Sequence, residues 1–186
     1  MAVSTKVVRI NSAANDSPGS FGAADYGNSE FPKVQAAIER RAVSASTLAS
    51  AIAKDSAAAA KQYGTETSAG PEFPVKFSGA VGKGDFGTYT VSVSGVPKSI
   101  VIAVQTGPAI MGTDLRDATG TINFGQFTNQ IEYQNAGSAL NKSMKKAILS
   151  KLETDKLKGK TISVVGAFQL SDPKSWLVTP VKLDVR

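Results

Sequence analysis

The hydrophobic period changes at Gly70-Pro71-Glu72-Phe73-Pro74, from helical before this segment to alternating after it. Ahead of the switch, Pro32 suits the first turn of a helix. Val34, Ile38, Ala45, Leu48 and Ile52 then recur at near-helical spacing, and alanines carry the pattern to Tyr63 before Gly64 stops it. Ser46 and Thr47 could cap a fresh start, which would make two helices. Beyond the switch, Val75, Phe77 and Val81 suit a first strand, Thr88–Ser94 a second and Ser99–Gln105 a third, with Gly95–Lys98 as a hairpin connection. Thr121–Phe124 suits a short extra strand.

A helix follows. Ile131, Tyr133, Ala136, Leu140, Met144, Ala147, Ile148 and Leu152 keep one face apolar, and the pattern stops at Leu157 before Lys158-Gly159. Thr161–Phe168 and Leu177–Val185 close the chain as strands, with Pro180 marking an edge, a barrel rim or a bulge. The expected class is therefore α+β: a helical N-terminal segment followed by a small, OB-like antiparallel β-barrel in strand-strand-strand-helix-strand-strand order. An α+β sandwich is the alternative. Residues 1–30, small and polar after Ile10, are expected to be a flexible lead-in or tether, 31–70 the helical segment, and 71–186 the barrel. Residues 31–186 are expected to fold as one unit.

Composition removes whole classes of chemistry. With no cysteine and no histidine there are no disulfides, thiolate nucleophiles, Ser-His pairs or imidazole-based zinc sites. No metal and no cofactor is expected. The net charge of +6 is a mild bias, concentrated in Lys142, Lys145, Lys146, Lys151, Lys156, Lys158 and Lys160. A solvated helix face accounts for these lysines; a site for anionic lipid head groups or nucleic acid is the alternative. No apolar run approaches the roughly 20 residues that span a bilayer, and Met1–Ile10 lacks the apolar core of a signal peptide. The chain reads as soluble, and as a processed or trimmed form of something longer.

Specific polar and aromatic residues crowd between Gln105 and Tyr133, between the third strand and the long helix. Asp114, Asp117 and Glu132 could supply a carboxylate pair for hydrolysis, but Arg116 lies beside two of them and would depress their pKa. Phe124, Phe127 and Tyr133 with Gln126, Asn129 and Gln130 suit a polyhydroxyl ligand, with rings on sugar faces and carboxamides on hydroxyls. The competing account places the rings in the core and the amides at the helix start, with Thr128 or Asn129 as cap. Gly82-Lys83-Gly84-Asp85-Phe86-Gly87 has the G-x-G-x-x-G spacing of dinucleotide sites. A strand rather than a helix follows, so it reads as a hairpin turn or bulge. Trp176, after Asp172-Pro173, reads as a loop anchor.

The strings Gly112-Thr113, Leu115-Arg116-Asp117-Ala118, Phe127, Asn129-Gln130-Ile131-Glu132-Tyr133 and Gly166-Ala167-Phe168 resemble an uncharacterised family of predicted bacterial periplasmic lipoproteins. The resemblance covers roughly residues 5–186 and implies genes often found beside sugar ABC transporters. Family members carry a lipid-modified cysteine before a short K-[IV]-V segment. Here Lys6-Val7-Val8 follows Thr5, so either that site was trimmed or the protein is not anchored. The resemblance supplies no catalytic residues.

These observations converge on a non-enzymatic periplasmic accessory or binding protein, membrane-anchored as a lipoprotein in full-length form and linked to sugar uptake. Its expected working residues are Thr113, Arg116, Asp117, Phe127, Asn129, Gln130, Glu132 and Tyr133. They would meet a small carbohydrate-like ligand or a transporter component. The membrane would be touched only through a lipid anchor that this chain lacks. An OB-type single-stranded nucleic-acid binder and a carboxylate hydrolase are the alternatives, both less favoured.

Overall fold

Ser44 and Asp55 break what the sequence presents as one long helical segment. The computed structural model, which describes residues 21–186, has α1 (Ala23–Arg41), a two-residue strand β1 (Val43–Ser44), α2 (Ala45–Lys54) and α3 (Ser56–Tyr63). Ser44 Oγ accepts the Thr47 N–H at 3.1 Å and Asp55 Oδ1 accepts the Ala58 N–H at 2.9 Å. Each satisfies a donor that a helix start leaves open. The fresh cap is thus Ser44 rather than Ser46 or Thr47. Residues 23–30, expected in the lead-in, are already helical because Gly27 and Phe31 bury against the rest of the protein. Pro32 consequently sits inside α1 instead of in its first turn. Residues 1–20 of the lead-in lie outside the described residues.

Five long strands follow: β2 (Glu72–Asp85), β3 (Thr88–Val93), β4 (Val101–Gln105), β5 (Thr161–Gln169) and β6 (Ser175–Val185). β2 pairs with β3, β3 with β4, β5 with β6, and β2 with β5, all antiparallel. β4 and β6 close the cycle in parallel, a departure from the all-antiparallel expectation. The cycle places β6 between β4 and β5, as an OB-type order requires. β1 adds to the outside of β2, with Val43 opposite Val75.

Alternation puts Val75, Phe77, Val91, Ile102, Val104, Ile162, Val164 and Val178 into one apolar cluster, joined by Ile38 and Leu48 from the helices. Trp176 is a core residue, not a loop anchor. It lies in β6 with no exposure, its ring stacks on Phe168 with centroids 4.7 Å apart, and its indole N–H donates to the Pro173 carbonyl at 3.0 Å.

Between β4 and β5 lie a single turn, α4 (Asp114–Asp117), and the long helix α5 (Gln130–Ala147). α5 packs chiefly on α1, while its Leu140 and Met144 join the strand cluster. It stops ten residues short of Leu157, and two short 3-10 turns, Leu149–Lys151 and Thr154–Lys156, complete the path. Ile131, expected on the apolar face, is 72% exposed, and the buried face starts at Ala136. Thr121–Phe124 forms no strand; the chain there runs into a 3-10 turn at Phe124–Gln126. The glycine-rich segment is a hairpin, as its flanks imply. The register shifts between Val81 and Gly84, and Phe86 and Gly87 take φ of 45° and 77° in a two-residue turn. Pro180 sits where the β5–β6 register shifts, so its missing N–H leaves no gap in the ladder.

Candidate functional site

Gln105, at the end of β4, determines the course of the loop that follows. It is buried; its Oε1 accepts the Met111 N–H at 2.7 Å, and its Nε2 donates to the Met111 carbonyl at 3.0 Å and to Thr179 Oγ1 at 2.8 Å. Asn141 on α5 donates to the Gly112 carbonyl at 3.0 Å. Held at both points, the chain turns through α4, whose exit is fixed by Arg41 and Thr65, both donating to the Ala118 carbonyl at 2.6 and 2.7 Å.

Arg116 organises the centre. Its Nε and Nη2 donate to the two Asp117 oxygens at 2.7 and 2.9 Å, and its Nη1 donates to the Tyr133 carbonyl at 3.1 Å. The guanidinium lies 3.7 Å from the Tyr133 ring centroid. Thr113 adds a 2.6 Å hydrogen bond to Asp117. A ring cluster continues outward, with Tyr133 against Phe124 and Phe127, and Phe127 against Tyr26. At the start of α5, Asn129 Oδ1 accepts the Glu132 N–H, and Glu132 accepts the Thr128 N–H, both at 2.9 Å.

The structure therefore joins Thr113, Arg116, Asp117 and Tyr133 into one braced unit and sets Phe127 half-buried in the ring cluster. Asn129 and Glu132 serve the helix start, while Gln130 is exposed apart from them. The polar atoms of most of these residues are engaged within the fold itself.

Glu72 escapes sequence reasoning. It lies in the segment where the period changes and looks like a turn residue, yet it is 1% exposed and its Oε2 has no partner among the described residues. Burial, reinforced by the nearby Asp114 and Asp117 charges, pushes its carboxyl up to about 9. Burial also raises Asp114 to about 6, opposed by the Thr179 hydroxyl, which donates to it at 2.5 Å. The one available signal was its place at the head of an apolar strand, which does not distinguish a buried acid from a solvated one.

Among the described residues no group of three or more acids is arranged to hold a metal. A groove of about 550 Å³ opens beside the loop between α1 and residues 119–126. Lys33 and Arg40 form one wall, Thr119 and Thr121 the other, and Tyr26 lies at its side. The exposed residues of β3, β4 and β6 are Thr90, Ser92, Val101, Ser175, Leu177, Lys182 and Asp184, none of them aromatic.

In fold, the chain is similar to a crystal structure of an OB-fold protein from Thermotoga maritima, with a TM-score of 0.72 over 90% of this chain and 99% of that one, at 16% identity. No curated protein matches the chain. Residues 1–184 match the family model described as predicted periplasmic lipoprotein (DUF2291), over the span that carries the Arg116 brace, the aromatic cluster and the strands up to the end of β6. The chain thus belongs to this uncharacterised family of predicted periplasmic lipoproteins and has an OB-type fold.

Proposed function

We propose that this member of the family is a non-enzymatic binding module for a small carbohydrate-like ligand, held in the groove between α1 and residues 119–126. The observation that carries the proposal is the groove itself. Two cations, two hydroxyls and a half-buried ring converge on it, and a specific site for a small polar molecule needs such convergence. The Arg116 brace serves as its support, since the ring cluster ties Tyr133 through Phe127 to Tyr26 at the groove. Glu30, bonded to Lys33 at 2.7 Å, would be a further hydroxyl acceptor.

A non-enzymatic role agrees with how the acids are engaged. Asp117 is held by Arg116 and Thr113, Glu132 by a backbone N–H, and Asp114 by Thr179. Hydrolysis needs two acids facing each other across a cleft. A second reading, contact with a component of a sugar transporter, is favoured by Phe124 and Ile131, which are 49% and 72% exposed beside the brace.

Calorimetric titration with a panel of neutral and acidic sugars tests the first reading. Saturable binding that Arg40→Ala and Thr121→Val weaken together is the expected result; no heat with any sugar would overturn it. Complementation of a deletion strain tests the wider surface. If folded Arg116→Ala and Asn129→Ala proteins complement fully, the working surface lies elsewhere.

A further inference from the structure

We infer that the end of the barrel carrying the β2–β3 hairpin and the α5–β5 connection is a docking surface for an anionic phospholipid bilayer, with Phe86 as the inserting residue. Phe86 is 95% exposed, and it occupies a turn position with φ of 45°. Such two-residue turns favour asparagine, aspartate or glycine there. A large ring is therefore unfavourable at this position twice over, through its backbone conformation and through its contact with water. Nothing in the packing of the described residues accounts for it.

The hairpin that carries the ring lies beside a lysine-rich segment. Residues 142–160 hold seven lysines against two acids, which is five of the six net positive charges of the chain. The fold brings this segment to the hairpin. Gly87 abuts Gly107, and Lys145 donates to the Pro108 carbonyl next door. Val81 exchanges backbone hydrogen bonds with Lys160 and Gly159 at 2.8 and 2.9 Å. Lys83, Lys146, Lys151, Lys158 and Lys160 are all exposed, and among the described residues none has an acidic partner within ion-pair distance. The start of α1 lies on the same side, since Ala23 and Ala24 share a groove with Lys142 and Lys146.

An exposed ring at the tip of a hairpin, beside a segment rich in unpaired lysines, matches the chemistry of an interface. The ring enters the acyl boundary while the ammonium groups meet lipid phosphates. Single-stranded nucleic acid would instead want successive rings on a strand face, and the outward face of β3, β4 and β6 has none among its exposed residues. Membership of a lipoprotein family places a membrane within reach. The inference adds a contact of the folded domain itself to any lipid anchor, and it does not depend on the sugar groove.

Co-sedimentation of the unlipidated chain with vesicles tests it. Phosphatidylglycerol-containing vesicles should bring the protein down and pure phosphatidylcholine vesicles should not. Binding should fall steeply with added salt, as screening shortens from about 10 Å at 0.1 M to about 3 Å at 1 M. Each lysine removed from the set Lys151, Lys158 and Lys160 should weaken binding roughly fivefold. Phe86→Asn should weaken it several-fold while keeping or raising the melting temperature, because it creates the preferred Asn-Gly turn. Equal sedimentation with both vesicle types, or binding unchanged in Phe86→Asn and in the triple lysine variant, overturns the inference. Tighter binding to an oligo-dT strand than to the anionic vesicles overturns it in favour of nucleic acid.

Discussion

Charge is concentrated in two regions of this molecule, and they treat it in opposite ways. Around α4, Arg116, Asp117 and Asp114 are withdrawn from water and matched, by a fork of two guanidinium donors, two threonine hydroxyls and a ring face, while Glu72 is buried beside them with its Oε2 unmatched among the described residues. At the far end of α5, lysines of a single sign stand in solvent with few partners. Burial with matched partners fixes geometry and leaves no group free for a ligand, because removing a partner strands the other charge. Exposure without partners contributes almost nothing to the fold but creates a field that a partner can feel. The sequence feature that looks most functional is thus a brace, and the lysines that look like solvated decoration carry the freer chemistry.

The largest effect that would break this contrast is at Arg116. Arg116→Met leaves Asp117 buried without its two charge-assisted bonds, and should lower stability by about 3–5 kcal/mol in urea denaturation. A loss below about 1 kcal/mol would mean that the brace is not buried in solution.

Glu72 comes next. Its folded carboxyl is raised to about 9 from an ordinary value near 4.5, so between these values the folded chain holds a proton that the unfolded chain has released. The stability linked to this group is fully present below about pH 4.5 and is lost as pH rises towards 9. Glu72→Gln cannot titrate. It should flatten that decline and gain on the order of 3 kcal/mol at pH 7, seen in denaturation curves at pH 5.5, 7 and 8.5. Parallel pH profiles for both proteins would show that Glu72 ionises in the fold. Asp114, raised to about 6, acts in the same direction over a narrower window.

Smaller effects sharpen the comparison. Asn129→Ala removes the cap on α5 and should cost about 1 kcal/mol, measured by thermal melting. Lys151→Gln combined with Lys158→Gln should change stability by less than about 0.5 kcal/mol. A larger loss would make those lysines part of the fold and end the contrast.

Much of this architecture was legible in residue order alone. Period two in Thr88–Val93 and the β-branched run Val101–Val104 marked strands, since alternation leaves one face to bury. Gly-rich residues before a strand marked a hairpin rather than a phosphate loop. The misses share a cause. Pro32 suggested a helix start, but α1 extends ahead of it because Gly27 and Phe31 pack on the protein. Trp176 looked like a loop residue until the stack on Phe168 drew it into β6. Ile131 fitted a helical stripe, yet the packing of α5 on α1 turned that stripe to begin at Ala136.

In the Gln105–Tyr133 segment, the sequence shows which polar groups are present but not their state. Arg116 beside Asp117 announces an ion pair; the ring of Tyr133 beneath it, 17 positions away, and Thr179 on Asp114, 65 positions away, do not follow from spacing. Local pattern determined the α+β class, the strand and helix order, the absence of thiol and imidazole chemistry, and the family. The tertiary structure alone decided that β4 and β6 meet in parallel to close the cycle, that Glu72 is dry, and that the β2–β3 hairpin lies beside the lysine-rich segment. Local pattern encodes which face of a segment must leave water. Which segments meet, and hence which charges lose their solvent, is fixed only when distant parts of the chain exclude it together.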